Sequence, residues 1–295
     1  MSVRAAIASA AAASAVATLL LTVAFASTAG SPPAAKASPP PAQGAVTPES
    51  SENAPDDTVL PIPPVPPRIA EGAQYDHCLD MLESDPSGAD ALAASMAATG
   101  GGEAAEHCHA LAQVALGNTE DGATLLDKLA GTSTTPASAK AVVFGQADQA
   151  WTMAGKPLQA YQSATNALRL SPDDPDLLIG HAIAALALQR YAEAEADLTQ
   201  AIDLDPKRAD ALVLRATSLR NQDRLDPARA DIDAAFALDP DDPNAFLERG
   251  IIRQRRGDLA GARSDWERAA ELAPDTPTGD LAQQNLALLE AGPKQ

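Results

Sequence analysis

Residues 160–206 read AYQSATNALRLSPDDPDLLIGHAIAALALQRYAEAEADLTQAIDLDP, and residues 228–274, ARADIDAAFALDPDDPNAFLERGIIRQRRGDLAGARSDWERAAELAP, follow the same plan. Prolines fall at Pro172, Pro206, Pro240 and Pro274, each 34 residues from the last. Leu170, Leu204, Leu238 and Leu272 keep that step, as do Ala167, Ala201, Ala235 and Ala269, and Ala160, Ala194, Ala228 and Ala262. Four columns holding over four copies define an internal repeat, and 34 residues is the length of a helix-turn-helix unit.

The spacing has a local physical basis. In each copy two apolar runs of helical period flank a short break, such as Gly155-Lys156 or Gly257-Asp258. Alanines stand where the helices of one hairpin cross closely, and a larger side chain would push them apart. Proline ends the second helix, because it lacks the amide and clashes with the preceding turn. Asp174-Pro175 and Asp242-Pro243 open the next helix as an N-cap aspartate followed by a first-turn proline.

At these residues the chain resembles the tetratricopeptide repeat family, closely from Ala141 to Pro274. The family's small residue early in the first helix appears as Ala182, Ala216 and Gly250, with Asp148 in that column of the first copy. Its bulky positions are mostly taken by Leu178, Leu212, Leu198 and Ile232, while Phe246 and Trp266 keep aromatic character. The resemblance implies an all-α fold, a right-handed superhelical solenoid of antiparallel helix pairs. Four clear repeats would occupy residues 141–274, preceded by degenerate hairpins over 70–140 and closed by a capping helix and tail over 275–295. In the degenerate part, Tyr75 to Leu82, Ala89 to Ala98, Cys108 to Leu116 and Ala123 to Leu129 read as helices; the cap centres on Leu281 to Leu289.

The amino-terminal stretch differs in kind. Residues 1–26 read as an export signal: Arg4 supplies positive charge, Ala5 to Phe25 carry none, and Ala24-Phe25-Ala26 gives small residues at the usual cleavage spacing. An uncleaved anchor helix is the other reading, since the uncharged run is long enough to span a bilayer. Either reading places the rest outside the cytoplasm, periplasmic or secreted. Residues 27–69 read as a proline-rich linker, with 12 of the 24 prolines between Ser31 and Pro67 and too little apolar surface to offset ordering.

Composition narrows the function classes. The 295 residues carry 40 acidic against 21 basic side chains, a net charge of -19 that argues against nucleic acid as a partner. Aromatics at 3% offer few stacking platforms, and 67 alanines favour helix.

Chemistry candidates are few. Cys78 and Cys108 are the only cysteines, and an even pair in an exported chain reads as a disulfide. Closing that loop would stabilise by about 3–4 kcal/mol in the chain-entropy model. A metal site is the sharper alternative, because His77-Cys78 and His107-Cys108-His109 cluster ligand types. Adjacent helical residues point apart, however, and no Cys-x-x-Cys or His-x-x-x-His accompanies them, so no metal or cofactor is expected. The Asp173–Asp176 and Asp239–Asp242 junctions lack the glycine and terminal glutamate of a calcium loop. His181 reads as a packed or groove histidine, and Glu193, Glu195, Asp197, Asp231, Asp233 and Asp239 as solvated faces of second helices. No nucleophile elbow or phosphate loop is present, so the expected protein is not an enzyme.

In the family the first helices of successive repeats line a groove that holds peptide segments. By resemblance, that groove would present Gln149, Met153, Ile179, Ile183, Val213, Thr217, Arg220, Asn221, Leu247, Ile251, Gln254 and Arg255. Some of the aliphatic ones equally fit packing against a neighbouring repeat, and Arg220 and Arg255 equally fit pairing with nearby carboxylates such as Asp210 or Glu248. The family's Lys/Asn/Arg clamp for a C-terminal carboxylate does not carry over, since Gly145, Gln149, Gly180, Asp210 and Leu214 stand at its positions. The expected function is a protein- or peptide-binding adaptor of the bacterial cell envelope. The alternatives are a membrane-anchored assembly factor and a metal-handling factor built on the Cys/His cluster.

Overall fold

A computed structural model describes residues 68–292; the export-signal reading and nearly all of the linker lie outside them. The described residues form thirteen α-helices: α1 Ala73–Met81, α2 Pro86–Ala98, α3 Gly102–Ala115, α4 Thr119–Thr132, α5 Ala137–Met153, α6 Pro157–Leu170, α7 Pro175–Ala187, α8 Tyr191–Leu204, α9 Ala209–Asn221, α10 Leu225–Leu238, α11 Pro243–Arg255, α12 Leu259–Leu272 and α13 Pro277–Ala291. Each packs against its chain neighbours, and α5 through α12 make four consecutive hairpins. The first helices of these hairpins also touch one another, α5 to α7, α7 to α9, α9 to α11 and α11 to α13. The architecture is an all-α helical repeat.

Helix ends follow the sequence signals. Asp174 accepts from the Asp176 amide at 3.0 Å, Asp242 from Asn244 at 2.8 Å, and Asp85 from Gly88 at 2.9 Å. Prolines stand just inside α2, α6, α7, α11 and α13. The turn within each hairpin needs one residue in the left-handed region. Gly155 and Gly257 supply it freely, with φ of +67° and +84°, while Gln189 and Asp223 occupy the equivalent place at 61° and 63°.

The alanine columns are the contact points of the hairpins. Ala160, Ala194, Ala228 and Ala262 are fully buried, and so are Ala167, Ala201, Ala235 and Ala269. A second pair of columns trades volume across each hairpin. Ala182 goes with Leu198, Ala216 with Ile232, and Gly250 with Trp266, all of them buried. The missing side chain of Gly250 makes the room: a Cβ there would stand 2.3 Å from Trp266 Nε1 and 2.6 Å from Cδ1. The first repeat inverts the trade: Asp148 is the larger member and Ala164 the smaller, both buried.

A third column is electrostatic. Arg215 of α9 grips Asp231 of α10 with two bonds of 2.8 and 2.7 Å, and Arg249 of α11 grips Asp265 of α12 at 3.0 and 2.7 Å. His181 of α7 meets Asp197 of α8 at 2.7 Å in the same register. Each of these three side chains also reaches the second helix of the preceding repeat: His181 to Thr165, Arg215 to Thr199, and Arg249 over the Phe236 ring, 4.2 Å from its centroid. One side chain on a first helix thus clasps two second helices. This corrects the reading of Asp231 and Asp197 as solvated: Asp231 is buried at 8% exposure and Asp197 half-buried beneath its partner. Glu195 is likewise engaged, accepting from Arg224 and Gln222.

Upstream, α1 to α4 join the repeats through a polar relay. The Tyr75 hydroxyl meets His107 Nδ1 at 2.6 Å, and His107 Nε2 meets Gln146 of α5 at 2.6 Å. Burial holds the His107 imidazole below its ordinary titration range and pushes Tyr75 up to about 12. Ile69 is buried and Arg68 bonds to Asp76, so ordered packing already includes these residues. The sulfurs of Cys78 and Cys108 lie at disulfide distance, with Cα atoms 6.2 Å apart. At the other end, α13 carries Gln283 and Gln284, both exposed, where α11 has Arg249 and Gly250. A first helix with polar residues on that face needs no second helix to cover it.

Two outcomes are expected. Gly250→Ala should destabilise by about 1–3 kcal/mol despite better helix propensity, because the buried indole cannot retreat. Adding Trp266→Leu, which rebuilds the Ala182–Leu198 pair, should recover part of that loss in a denaturant double-mutant cycle; strict additivity would disprove the trade. Non-reducing peptide mapping should show one peptide joining Cys78 to Cys108, and reduction should raise amide exchange in α1 to α3 more than in α7 to α12.

Candidate binding groove

The first helices form a continuous layer, so residues one repeat apart fall on the same face. Gln149, Ile183, Thr217 and Ile251 make one such column; Met153, Asn221 and Arg255 belong to a second; Ile179, Val213 and Leu247 to a third; Arg220 and Gln254 to a fourth. The sequence-derived set is therefore brought together in register, although its members do different things.

Ile179, Ile183 and Val213 are buried, with 5%, 2% and 5% exposure, and belong to the repeat core. Leu247 and Ile251 are half-buried against the cluster around Trp266. These five form a floor. Thr217 is half-buried, and its hydroxyl donates to the Val213 carbonyl at 3.1 Å. Gln149, Met153, Asn221, Gln254 and Arg255 are exposed and form the accessible surface. Asn221 donates to the Thr217 carbonyl at 2.8 Å, which leaves its side-chain oxygen free to accept.

The arginines are already matched. Arg220 binds Glu248 with both arms of its guanidinium, and Glu248 is only 5% exposed. Arg255 bonds to Asp223 at 3.0 Å and to the Arg220 carbonyl. Near the amino-terminal ends of the same helices, Arg208 bridges Asp176 at 2.5 Å and Asp210 at 2.8 Å. A carboxylate ligand would have to displace one of these internal partners. For Arg220 that would strand a buried glutamate, at a cost of several kcal/mol.

Asp148 lies where α5 meets α7. Its exposure is 3%, its Oδ1 has no hydrogen-bond partner, and its Oδ2 occupies the space a Cβ on Gly180 would need, 2.5 Å away. Burial, reinforced by the Asp127 carboxylate and opposed by a bond to Thr152, pushes its pKa up to about 8. At neutral pH the side chain is thus a carboxylic acid.

The Cys/His cluster disperses. His107 turns to Tyr75 and Gln146, His109 bonds to Asp90 at 2.6 Å, and His77 is exposed. Among the described residues no group of three or more His, Cys, Asp or Glu side chains is placed to hold a metal ion. The sequence reading missed the clasp column, although the 34-residue step from His181 to Arg215 to Arg249, matched by Asp197, Asp231 and Asp265, carried its signal. Of the two arginines read as groove residues or as partners of nearby carboxylates, Arg220 takes Glu248 and Arg255 takes Asp223.

Two tetratricopeptide repeat family models match the sequence, one over residues 145–209 and 179–229, the other over 214–287. No curated protein matches the chain. Among solved structures, TTC0263, a thermophilic tetratricopeptide repeat protein of Thermus thermophilus, is similar with a TM-score of 0.52 at 18% identity, over 64% of this chain and 99% of that one. YrrB, described as a tetratricopeptide repeat protein with an unusual peptide-binding site, gives 0.48 at 18% identity, over 65% and 95%. MamA gives 0.48 at 15% identity, over 56% and 94%. The repeat columns, the hairpin packing and the two family models together make this chain, from residue 145 to residue 287, a tetratricopeptide repeat protein.

Proposed function

We propose that the protein is a non-catalytic adaptor that binds a protein or peptide segment along the layer of first helices. One observation carries this reading. Gln149, Asn221 and Gln254 present carboxamides on that layer, and Met153 adds an adaptable apolar contact. A carboxamide donates and accepts, so each of these can pair with the backbone of an extended segment. With Arg220 and Arg255 matched internally, the partner is held by backbone and apolar contacts, and a terminal carboxylate is not its anchor. The site of action in this reading is the cell envelope, supported by the export-signal character of residues 1–26 and by the paired cysteines.

The test begins with a photocrosslinking side chain at Met153, Asn221 or Gln254 in intact cells, beside control positions Asp233 and Glu267 on second helices. Adducts are expected from the first-helix positions alone. With the captured partner purified, Met153→Ala/Asn221→Ala/Gln254→Ala should weaken binding tenfold or more, about 1.4 kcal/mol, with helicity unchanged. A change under twofold, or equal capture from the second helices, places binding elsewhere.

A further inference from the structure

Two buried titratable side chains, His181 and Asp148, stand at one joint, where the first repeat (α5, α6) meets the second (α7, α8). The later joints carry different residues in the same columns. Arg215 and Arg249 replace the histidine, and Ala182, Ala216 and Gly250 replace the aspartate. We propose that the joint between the first and second repeats is a pH-sensitive hinge, tightened by acidification and loosened as the pH rises.

The hydrogen-bond geometry around His181 asks for two donors. Nδ1 faces the Asp197 carboxylate at 2.7 Å, an acceptor only. Nε2 faces Thr165 Oγ1 at 3.2 Å, and the Thr165 hydroxyl hydrogen is already committed to the Tyr161 carbonyl at 2.7 Å. Both ring nitrogens therefore meet acceptors. The imidazolium satisfies both; the neutral ring, with one N–H, satisfies one. At the next joint Arg215 donates to Asp231 and to Thr199 in the same arrangement, with a charge that no physiological pH removes. An imidazole changes charge within that range. The other charged and titratable groups facing His181 are Tyr161 of α6, its ring tilted against the imidazole with centroids 4.4 Å apart, and Glu193 of α8, which accepts from the Tyr161 hydroxyl at 2.8 Å. Arg190, in the turn before α8, lies 4.5 Å from the Tyr161 centroid. From α5, the buried titratable group at this joint is Asp148.

Asp148 works in the same direction. The ionisable group facing it is Asp127 of α4, whose carboxylate already receives the Trp151 indole at 2.7 Å and the Ser163 hydroxyl of α6 at 2.7 Å. Thr152, on its own helix, and Gly180 of α7 complete the surroundings. Among the described residues no cation offsets an ionised Asp148 there. In the open joint the carboxyl ionises near pH 4; in the closed joint it stays protonated to about pH 8. Closure is thus fully favoured at acid pH and loses ground steadily as the pH rises through that interval, up to tenfold in the closed-to-open ratio per pH unit. Asp148 thus loses its contribution on the alkaline side, the side on which a neutral His181 ring would leave one of its two acceptors without a donor.

Hydrogen exchange on the full chain between pH 5 and 8 tests the hinge, with α9 as internal reference so that base catalysis of exchange cancels; α11 is unsuited, because burial raises the pKa of its capping Asp242. The opening ratio of α6 and α7 relative to α9 should rise tenfold or more across the interval. His181→Arg and Asp148→Ala, each taken from the same column of another repeat, should lower that slope singly and abolish it together. The same slope in wild type and double variant overturns the proposal. Should the double variant lose helicity, His181→Arg and the near-isosteric Asp148→Asn are read separately, and an unchanged slope in both overturns it equally.

Discussion

Everything in this fold depends on how closely two helices of a hairpin approach. The approach is set by residues that contribute almost no side chain: the fully buried alanines of the 160 and 167 columns and their 34-residue successors. Interiors pack at near-crystalline density, so the remaining contacts must fit the separation those alanines impose. Volume is then conserved in pairs. Where one helix brings tryptophan, the other brings glycine; where one brings aspartate, the other brings alanine. Overpacking or a void at either member would be felt by the whole hairpin.

On that frame, charge does a job that apolar packing does not. A hydrophobic column buries area but is indifferent to small rotations, whereas the bidentate grip of Arg215 on Asp231, or Arg249 on Asp265, fixes direction as well as distance. Because each cation also reaches the preceding second helix, the clasps set the angle between repeats. An acidic chain with 21 basic residues commits many of its arginines in this way and in ties such as Arg220–Glu248. What remains on the first-helix layer is largely amide and apolar, which shapes the kind of partner it fits.

The joint between the first two repeats departs from the frame in both respects. It uses a histidine for a clasp and hides an acid in a small-residue column. Asp148 is also the residue at which the sequence pattern broke, and the break has a structural counterpart: Ala164 opposite and the missing side chain of Gly180 leave it room. Local rules broken without an obvious packing advantage tend to mark places under a demand other than stability.

The sequence by itself determined the repeat length, the helix boundaries near the prolines and N-cap aspartates, the small-residue columns and the pairing of the two cysteines as candidates. These are local or periodic properties: a capping aspartate needs only the next two amides, and a 34-residue step is visible without knowing what it packs against. The described helices also include the degenerate hairpins, whose apolar period survives although their alanines do not. Tertiary structure alone decided which members of the groove are floor and which are surface. Ile183 and Gln149 stand in the same register column, yet one is core and the other is exposed. It likewise decided that Asp231 is a buried partner although it reads as solvated charge, and that Arg220 takes the Glu248 pairing and is not free for a ligand. The physical reason is that a charge's role depends on what faces it across some 16 to 28 residues of chain, and periodicity reports which face of a helix a residue occupies but not what covers that face.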